Sequence, residues 1–142
     1  MKVLVVGGAG YIGSHTTVEL LNTGDEVIIV DNLSNSKALV VDRIERISGK
    51  RPQFIKCDLL DKEALDRVFE SHPEIDSVIH FAGLKAVGES CAIPLRYYQN
   101  NLISTLCNLV HHVEGNYYGN VNLHKLSGKI KISFKVGCVN YI

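Results

Sequence analysis

The sequence is poor in cysteine, and its cysteines are widely spaced. The four are Cys57, Cys91, Cys107 and Cys138. They form no Cys-x-x-Cys pair, which argues against both a zinc site and a disulfide framework and predicts free thiols. The six histidines are also scattered, and the adjacent His111 and His112 would point about 100° apart on a helix. We therefore expect no metal site.

Long apolar runs are absent too. No stretch approaches the roughly 18 apolar residues that a membrane-spanning helix requires. The apolar residues that follow Lys2 resemble the start of a secretory signal, but glycines at positions 7 and 8 cut the run short of the usual length. The sequence predicts neither a membrane span nor a signal peptide, and the cytoplasm is the expected compartment.

Acidic residues are missing from the last part of the chain. Residues 1–114 hold all 15 acidic residues and 11 of the 15 basic ones, a net charge of −4, whereas residues 115–142 hold four lysines and no acid. This change in composition predicts one domain over residues 1–114 and a basic tail over 115–142. The lysines are too few, and lack the interleaved aromatic residues, for a nucleic-acid surface.

What the sequence does contain is a glycine-rich turn between a strand and a helix. Lys2–Val6 is a short apolar run of strand length, and a segment of helical periodicity at Ile12, Thr16 and Leu20 follows the glycines. Two spacings fit, Gly-x-Gly-x-x-Gly from position 8 and Gly-x-x-Gly-x-x-Gly from position 7. Such a turn lets phosphate approach the backbone at a positively polarised helix start, so it predicts a pyrophosphate site.

Asp31 strengthens this interpretation. It ends a second β-branched run, Val27–Val30, where a carboxylate can accept hydrogen bonds from the hydroxyls of an adenosine ribose and repel the extra phosphate of NADP. NAD is therefore the predicted cofactor. The alternative is a turn in which Asp31 caps the backbone together with Asn32, Ser34 and Asn35.

The remaining pattern alternates helices with strands. Gly24 and Gly49 suit helix ends, Phe54–Ile55 marks a third strand, and Ile75–Phe81 marks a fourth. The helical faces predicted between them are Leu39, Val40, Ile44 and Ile47 in one segment and Leu65, Val68 and Phe69, capped by Asp61, in the next. This alternation predicts an α/β fold with a doubly wound parallel sheet, whose ligand lies beyond the carboxyl ends of the strands.

The basic tail contains its own strand signal. Residues 129–136 alternate polar and apolar side chains, which is typical of a half-exposed strand. One interpretation is that this segment pairs with the open edge of the sheet. The other is that the tail is foreign to the rest of the sequence, through an unspliced intron, a frameshift or an alternative transcript.

Four segments together resemble the UDP-glucose 4-epimerase family of extended short-chain dehydrogenases. They are residues 7–15, 31–36, 80–90 and 94–101. The similarity covers about residues 1–110. It implies a Rossmann-like fold truncated after about four strands, bound NAD and, in a full-length form, a UDP-sugar substrate and a possible homodimer.

The resemblance also implies which residues bind NAD. Gly7, Gly10, Tyr11 and Ile12 would line the pyrophosphate, and Asp31, Asn32, Asn35 and Ser36 the adenosine ribose and its surroundings. Gly13, in the same turn, is also expected to bind the cofactor. Asp58 and Leu59 would flank the adenine, Phe81, Ala82 and Gly83 would pass beneath the cofactor, and Lys85 and Asn100 would lie near its phosphates and nicotinamide. As alternatives, Phe81 is a core residue and Lys85 a solvated charge. Val6 replaces the threonine usual before the glycines, a loss of about 0.5–1.5 kcal/mol.

The family reaction needs residues that this sequence does not supply. In similar epimerases NAD takes hydride from C4 of the hexose, while a tyrosine in a Tyr-x-x-x-Lys pair removes the hydroxyl proton. No tyrosine here has a lysine four residues later, so no catalytic residue is assigned. Two hypotheses follow: an inactive fragment of an epimerase, or a non-catalytic NAD-binding module that associates with a full-length epimerase.

Overall fold

The computed structural model describes residues 1–106 and 131–134. In chain order the elements are β1 (Lys2–Val6), α1 (Tyr11–Asn22), β2 (Glu26–Asp31), α2 (Leu39–Ser48), β3 (Gln53–Lys56), α3 (Lys62–Ser71), β4 (Ser77–His80), α4 (Val87–Ala92), α5 (Pro94–Tyr98), a π-helix (Gln99–Ile103) and β5 (Lys131–Phe134). The predicted domain boundary at residue 114 and the predictions for Cys107, His111, His112 and Cys138 lie outside the described residues.

The strands form one parallel sheet in the order β3-β2-β1-β4-β5. Successive side chains of β1 point to opposite faces, so both faces need cover. On one face Leu4 and Val6 pack with Leu65 of α3, and on the other Val3 and Val5 pack in a cluster that contains residues of α1 and α2. This confirms the predicted doubly wound α/β fold.

The strand in the tail pairs with the sheet. β5 runs parallel to β4, and Phe134 is level with His80 in the register. Pairing with the open edge, one of the two interpretations of this segment, is therefore confirmed, and the four predicted strands become five.

The predicted helix ends are confirmed. Gly24 has φ +93° and follows α1, where its amide and that of Asp25 bind the carbonyl oxygens of Leu21 and Leu20. Gly49 ends α2 with φ +71°. Asp61 begins α3 by accepting a hydrogen bond of 3.0 Å from the Ala64 amide. These local signals depend on neighbouring residues alone, which is why the sequence predicts them well.

The helix predicted after the glycine turn is confirmed as α1. It buries Gly13, Thr17 and Leu21, whereas Ile12 is 43% exposed. Gly13 lies directly against the glycine turn, and the Thr17 hydroxyl donates to the Gly13 carbonyl oxygen over 2.9 Å.

The helical face predicted for α2 is partly wrong. Ile44 is buried as expected, but Leu39 and Ile47 are exposed and Val41 is buried instead. At about 100° per residue, Leu39 points about 140° away from Ile44, so the two cannot share one contact face.

Candidate functional site

A cleft lies at the carboxyl ends of β1, β2, β3 and β4. Twelve of the sixteen residues predicted to bind the cofactor line it: Gly7, Gly10, Asp31, Asn32, Asn35, Ser36, Asp58, Leu59, Phe81, Ala82, Gly83 and Asn100. The other lining residues are Val30, Ser34, Cys57, Leu84 and Ser104. The topology therefore brings together loops that are far apart in the sequence, as the switch point of a doubly wound sheet does.

The structure distinguishes the roles of the three spaced glycines. Gly7 has φ +73°, and a Cβ there would stand 2.7 Å from the backbone nitrogen of Ala82. A Cβ on Gly13 would overlap the Gly7 carbonyl oxygen, so Gly13 allows close packing of α1. Gly10 lines the cleft, and only the Gly7 oxygen, at 3.2 Å, lies near its absent Cβ. A tight turn, a place in the lining of the cleft and close helix packing are thus divided among Gly7, Gly10 and Gly13.

This geometry favours one of the two glycine spacings. Gly8, which begins the alternative spacing, does not line the cleft, and a Cβ there would stand 2.8 Å from the Ile29 side chain. Gly8 therefore serves packing on the sheet, and the spacing that starts at Gly7 describes the cleft.

The first turn of α1 follows Gly10, which lines the cleft. Gly10 is the N-cap and makes no side-chain capping bond, so the amides of the first turn are not satisfied within the helix. The Tyr11 side chain is 82% exposed, and neither Tyr11 nor Ile12 lines the cleft. Any contact that Tyr11 and Ile12 make with an anion here is expected through their N–H groups rather than their side chains.

Asp31 connects the glycine turn with the loop after β2. Its buried carboxylate accepts hydrogen bonds from the Ala9 amide (3.0 Å), the Leu33 amide (2.9 Å) and the Ser36 hydroxyl (2.9 Å). These contacts resemble the turn-capping alternative. A carboxylate has about four acceptor positions, so three protein donors are compatible with a further hydroxyl donor.

The backbone beside Asp31 is strained. Leu33 has φ +61°, a left-handed conformation that non-glycine residues rarely adopt and that is frequent at ligand sites.

Asn32 joins the loops that follow β2 and β3. Its amide nitrogen donates to Asp58 over 3.1 Å, and its amide oxygen accepts from the Ser34 backbone amide. Asp58 in turn accepts from the Leu60 amide over 2.9 Å. These bonds define the side of the cleft where Leu59 is buried and where burial raises the pKa of the Cys57 thiol.

The exit of β4 forms the opposite side. Phe81 lines the cleft and also packs against the core cluster of Val3 and Val5, which agrees with the alternative that Phe81 is a core residue. His80 accepts from the Ala82 amide through Nδ1 at 3.1 Å, and burial lowers its pKa. Lys85 is exposed and does not line the cleft.

Five lining residues were not assigned from the sequence. Four of them directly adjoin assigned residues: Val30, Ser34, Cys57 and Leu84. Ser104 is the fifth, and it lies four residues after Asn100 on the same helical face, a spacing that could have indicated it.

In the part of the chain that the structure describes, no helix is long and apolar enough to cross a membrane. The same residues contain no group of three or more histidine, cysteine, aspartate or glutamate side chains that could hold a metal ion.

Comparison with known proteins gives consistent matches. Residues 4–127 match the family model described as GDP-mannose 4,6 dehydratase. A UDP-glucose 4-epimerase of Bacillus subtilis is 63% identical over 105 residues, which are 74% of this chain and 31% of that protein. One from Klebsiella pneumoniae is 56% identical over 106 residues, 75% of this chain and 76% of that protein.

Solved structures give the same result. The UDP-glucose 4-epimerase of Bifidobacterium longum in complex with NAD+ and UDP has a TM-score of 0.76 and 52% identity, covering 78% of this chain and 33% of that one. The enzyme of Stenotrophomonas maltophila with bound NAD and formylated UDP-arabinopyranose has a TM-score of 0.75 and 50% identity over the same share. The chain spans 31% of the length of the curated relatives from B. subtilis, Haemophilus influenzae and Erwinia amylovora, and 76% of the length of the K. pneumoniae protein.

Proposed function

The chain belongs to the family that the GDP-mannose 4,6 dehydratase model describes, with UDP-glucose 4-epimerases as its relatives, and from this premise we propose that its cleft binds NAD. Residues of the loops after β2 and β3 would hold the adenosine half, the backbone of the glycine turn would hold the pyrophosphate, and residues at the exit of β4 would hold the nicotinamide half. When bound, NAD supplies a reversible hydride acceptor.

The observation that carries this proposal is the division of roles among the glycines. A dinucleotide needs a place where its phosphates reach backbone N–H groups without a side chain between them. Gly10 supplies that place, since it lines the cleft at the N-cap of a twelve-residue helix. Gly7 and Gly13 keep the turn tight and close to the sheet, so the helix start stays fixed relative to the cleft.

The ends of β2 and β3 suit the adenosine half. Asp31 is buried beside the glycine turn and is held in one orientation by the Ala9 and Leu33 amides. A fixed carboxylate is a suitable acceptor for ribose hydroxyls and an unsuitable neighbour for the extra phosphate of NADP. The Asn32–Asp58 pair encloses the adenine side, with Leu59 as an apolar surface.

The chain's own residues bind and orient the cofactor, and none moves the substrate proton. In this proposal, only the longer relatives bind UDP-sugars and catalyse the epimerase reaction. Two roles are compatible with this proposal: an inactive piece of an epimerase, or an NAD-binding module beside a full-length epimerase. Co-purification from the native source distinguishes them. A stable NAD-loaded complex or monomer supports the module.

The cytoplasmic location, the homodimer and the boundary at residue 114 stay predictions.

Replacing Gly10 by alanine tests the cleft directly. Its φ of −73° suits any residue, and the new Cβ would meet only the Gly7 oxygen, at 3.2 Å. We expect the free energy of unfolding to change by less than about 1 kcal/mol, whereas NAD affinity falls at least about 10-fold because the methyl group separates phosphate from the backbone. Isothermal titration calorimetry measures the affinity.

Gly88→Ala is the matched control for this test. Gly88 lies in α4, no atom of the described residues comes within 4 Å of its absent Cβ, and it does not line the cleft. Its NAD affinity should equal that of the wild type. Equal affinities for Gly10→Ala and Gly88→Ala would show that the ligand does not pass over the glycine turn.

A further inference from the structure

The loop after β4 depends on side chains for its shape. Phe81 still belongs to the sheet ladder, where its amide donates to the Val6 carbonyl oxygen over 2.7 Å. After Phe81 the segment no longer pairs with β1, yet Ala82, Gly83 and Leu84 form one wall of the cleft. Backbone groups in such a wall need other partners to hold a fixed position.

Asn101 supplies both partners for Leu84. The Leu84 amide donates to Asn101 Oδ1 over 2.8 Å, and Asn101 Nδ2 donates to the Leu84 carbonyl oxygen over 2.9 Å. The side-chain amide thus binds the N–H and C=O of one residue, the exchange that a hydrogen-bonded pair makes between antiparallel strands. Aspartate has the same length but lacks the donor, and leucine has neither group.

The Asn101 side-chain oxygen also orients the side chain of Asn100. Asn100 Nδ2 donates to Asn101 Oδ1 over 2.9 Å and to the Ala82 carbonyl oxygen over 3.2 Å. An amide nitrogen carries two hydrogens, so both donors of Asn100 are engaged within the protein. Asn100 lines the cleft and therefore offers a ligand its carbonyl oxygen, which accepts hydrogen bonds from hydroxyl or amide donors.

The backbone around the two asparagines is a π-helix, Gln99–Ile103. Single π-turns are uncommon and are frequent at functional sites. The Thr105 hydroxyl donates to the Asn101 carbonyl oxygen over 2.7 Å, which gives that carbonyl a partner. Asn101 also borders Gly83, whose absent Cβ would stand 3.8 Å from Asn101 Oδ1.

We propose that Asn101 is a positioning residue for the nicotinamide half of the dinucleotide. It fixes the Ala82–Leu84 wall through Leu84 and turns the Asn100 carbonyl oxygen toward the ligand, without touching the ligand itself. This inference rests on the proposed NAD function. It adds that the ligand group beside Asn100 is a hydrogen-bond donor, such as a ribose hydroxyl or a carboxamide NH₂.

Two ligands measured on the same variants test this role. NAD spans the whole cleft, whereas adenosine monophosphate reaches only the adenosine side at Asp31 and Asp58. For Asn101→Leu we expect NAD affinity to fall about 10-fold, the equivalent of one to two hydrogen bonds. Affinity for adenosine monophosphate should stay within about two-fold of the wild type, because the loops after β2 and β3 are unchanged.

A second variant keeps the test valid if leucine disturbs folding. Asn101→Asp retains the acceptor for the Leu84 amide and removes the donor to its carbonyl oxygen, so NAD affinity should again fall while adenosine monophosphate affinity does not. Asn22→Asp is the control for the added charge, since Asn22 is exposed at the end of α1. Its affinities should match the wild type.

The outcomes separate this inference from the proposed function. Selective loss of NAD affinity in both Asn101 variants supports the positioning role. Unchanged affinities, or equal losses for both ligands, would overturn it, because a purely structural role would weaken the whole cleft. Folded wild-type protein that takes up neither ligand would instead overturn the proposed function.

Discussion

Gly7→Ala is expected to lower the free energy of unfolding by about 2–5 kcal/mol, and Gly49→Ala by only about 1–2 kcal/mol. The two glycines have nearly the same backbone conformation, with φ of +73° and +71°. An alanine at either position bears the cost of a left-handed residue. At Gly7 the new Cβ would also stand 2.7 Å from the Ala82 nitrogen, whereas at Gly49 the part of the chain that the structure describes has no atom within 4 Å of it. Urea unfolding followed by circular dichroism measures both losses.

The difference between the two losses isolates one contact, that between the glycine turn and the exit of β4. Backbone atoms at Ala82 cannot move aside as a flexible side chain would, so overpacking here disturbs the adjoining segments. Equal losses for the two variants would mean that the turn and the β4 exit are not in close contact. A larger loss of unfolding free energy for Gly7→Ala would show that the fold and the cleft both depend on the packing of Gly7 against Ala82.

The 142-residue chain should bind NAD without interconverting UDP-galactose and UDP-glucose. It contains no Tyr-x-x-x-Lys pair, and removal of a general acid–base residue alone lowers rates by about 10²- to 10⁴-fold. Loss of substrate positioning adds further factors of similar size. Saturation with NAD cannot compensate, because the cofactor accepts hydride but does not remove the hydroxyl proton.

A coupled assay with both UDP-sugars measures this activity, and the B. subtilis relative assayed in parallel gives the reference rate. We expect no conversion above the protein-free background. Turnover within about 100-fold of that relative, by protein shown to be free of host epimerase, would contradict the assignment of no catalytic residue.

Local sequence signals predicted the framework of this site well. β1 has its predicted bounds, Asp31 ends β2 as expected, and Gly24 and Gly49 end their helices. Each of these features depends on a few adjacent residues. The glycine spacing alone left two possibilities, because the contacts that separate them, Gly7 against Ala82 and Gly8 against Ile29, join residues far apart in the sequence.

Contacts between distant segments account for what the sequence did not predict. Leu39 could have been placed away from Ile44 by helix geometry alone, since the two point about 140° apart. Ile47 points only about 60° from Ile44, so its exposure depends on how the helix is rotated against the sheet. The hydrogen bonds between Asn101 and Leu84 join residues 17 positions apart, and Asn101 lies in a π-helix that no local sequence pattern predicted. Asp31 was located correctly, but its bonds to the Ala9 amide and the Ser36 hydroxyl emerged only from the fold.

Calorimetric titration of the folded chain with NAD and, separately, with NADP is the most direct test of this account. The Asp31 carboxylate lies at the end of β2 beside the glycine turn, where the extra phosphate of NADP would meet a negative charge. We predict saturable binding of NAD and an affinity for NADP at least about 10-fold weaker. No uptake of NAD by well-folded protein, or tighter binding of NADP, would contradict the central claim that this cleft is a site for NAD.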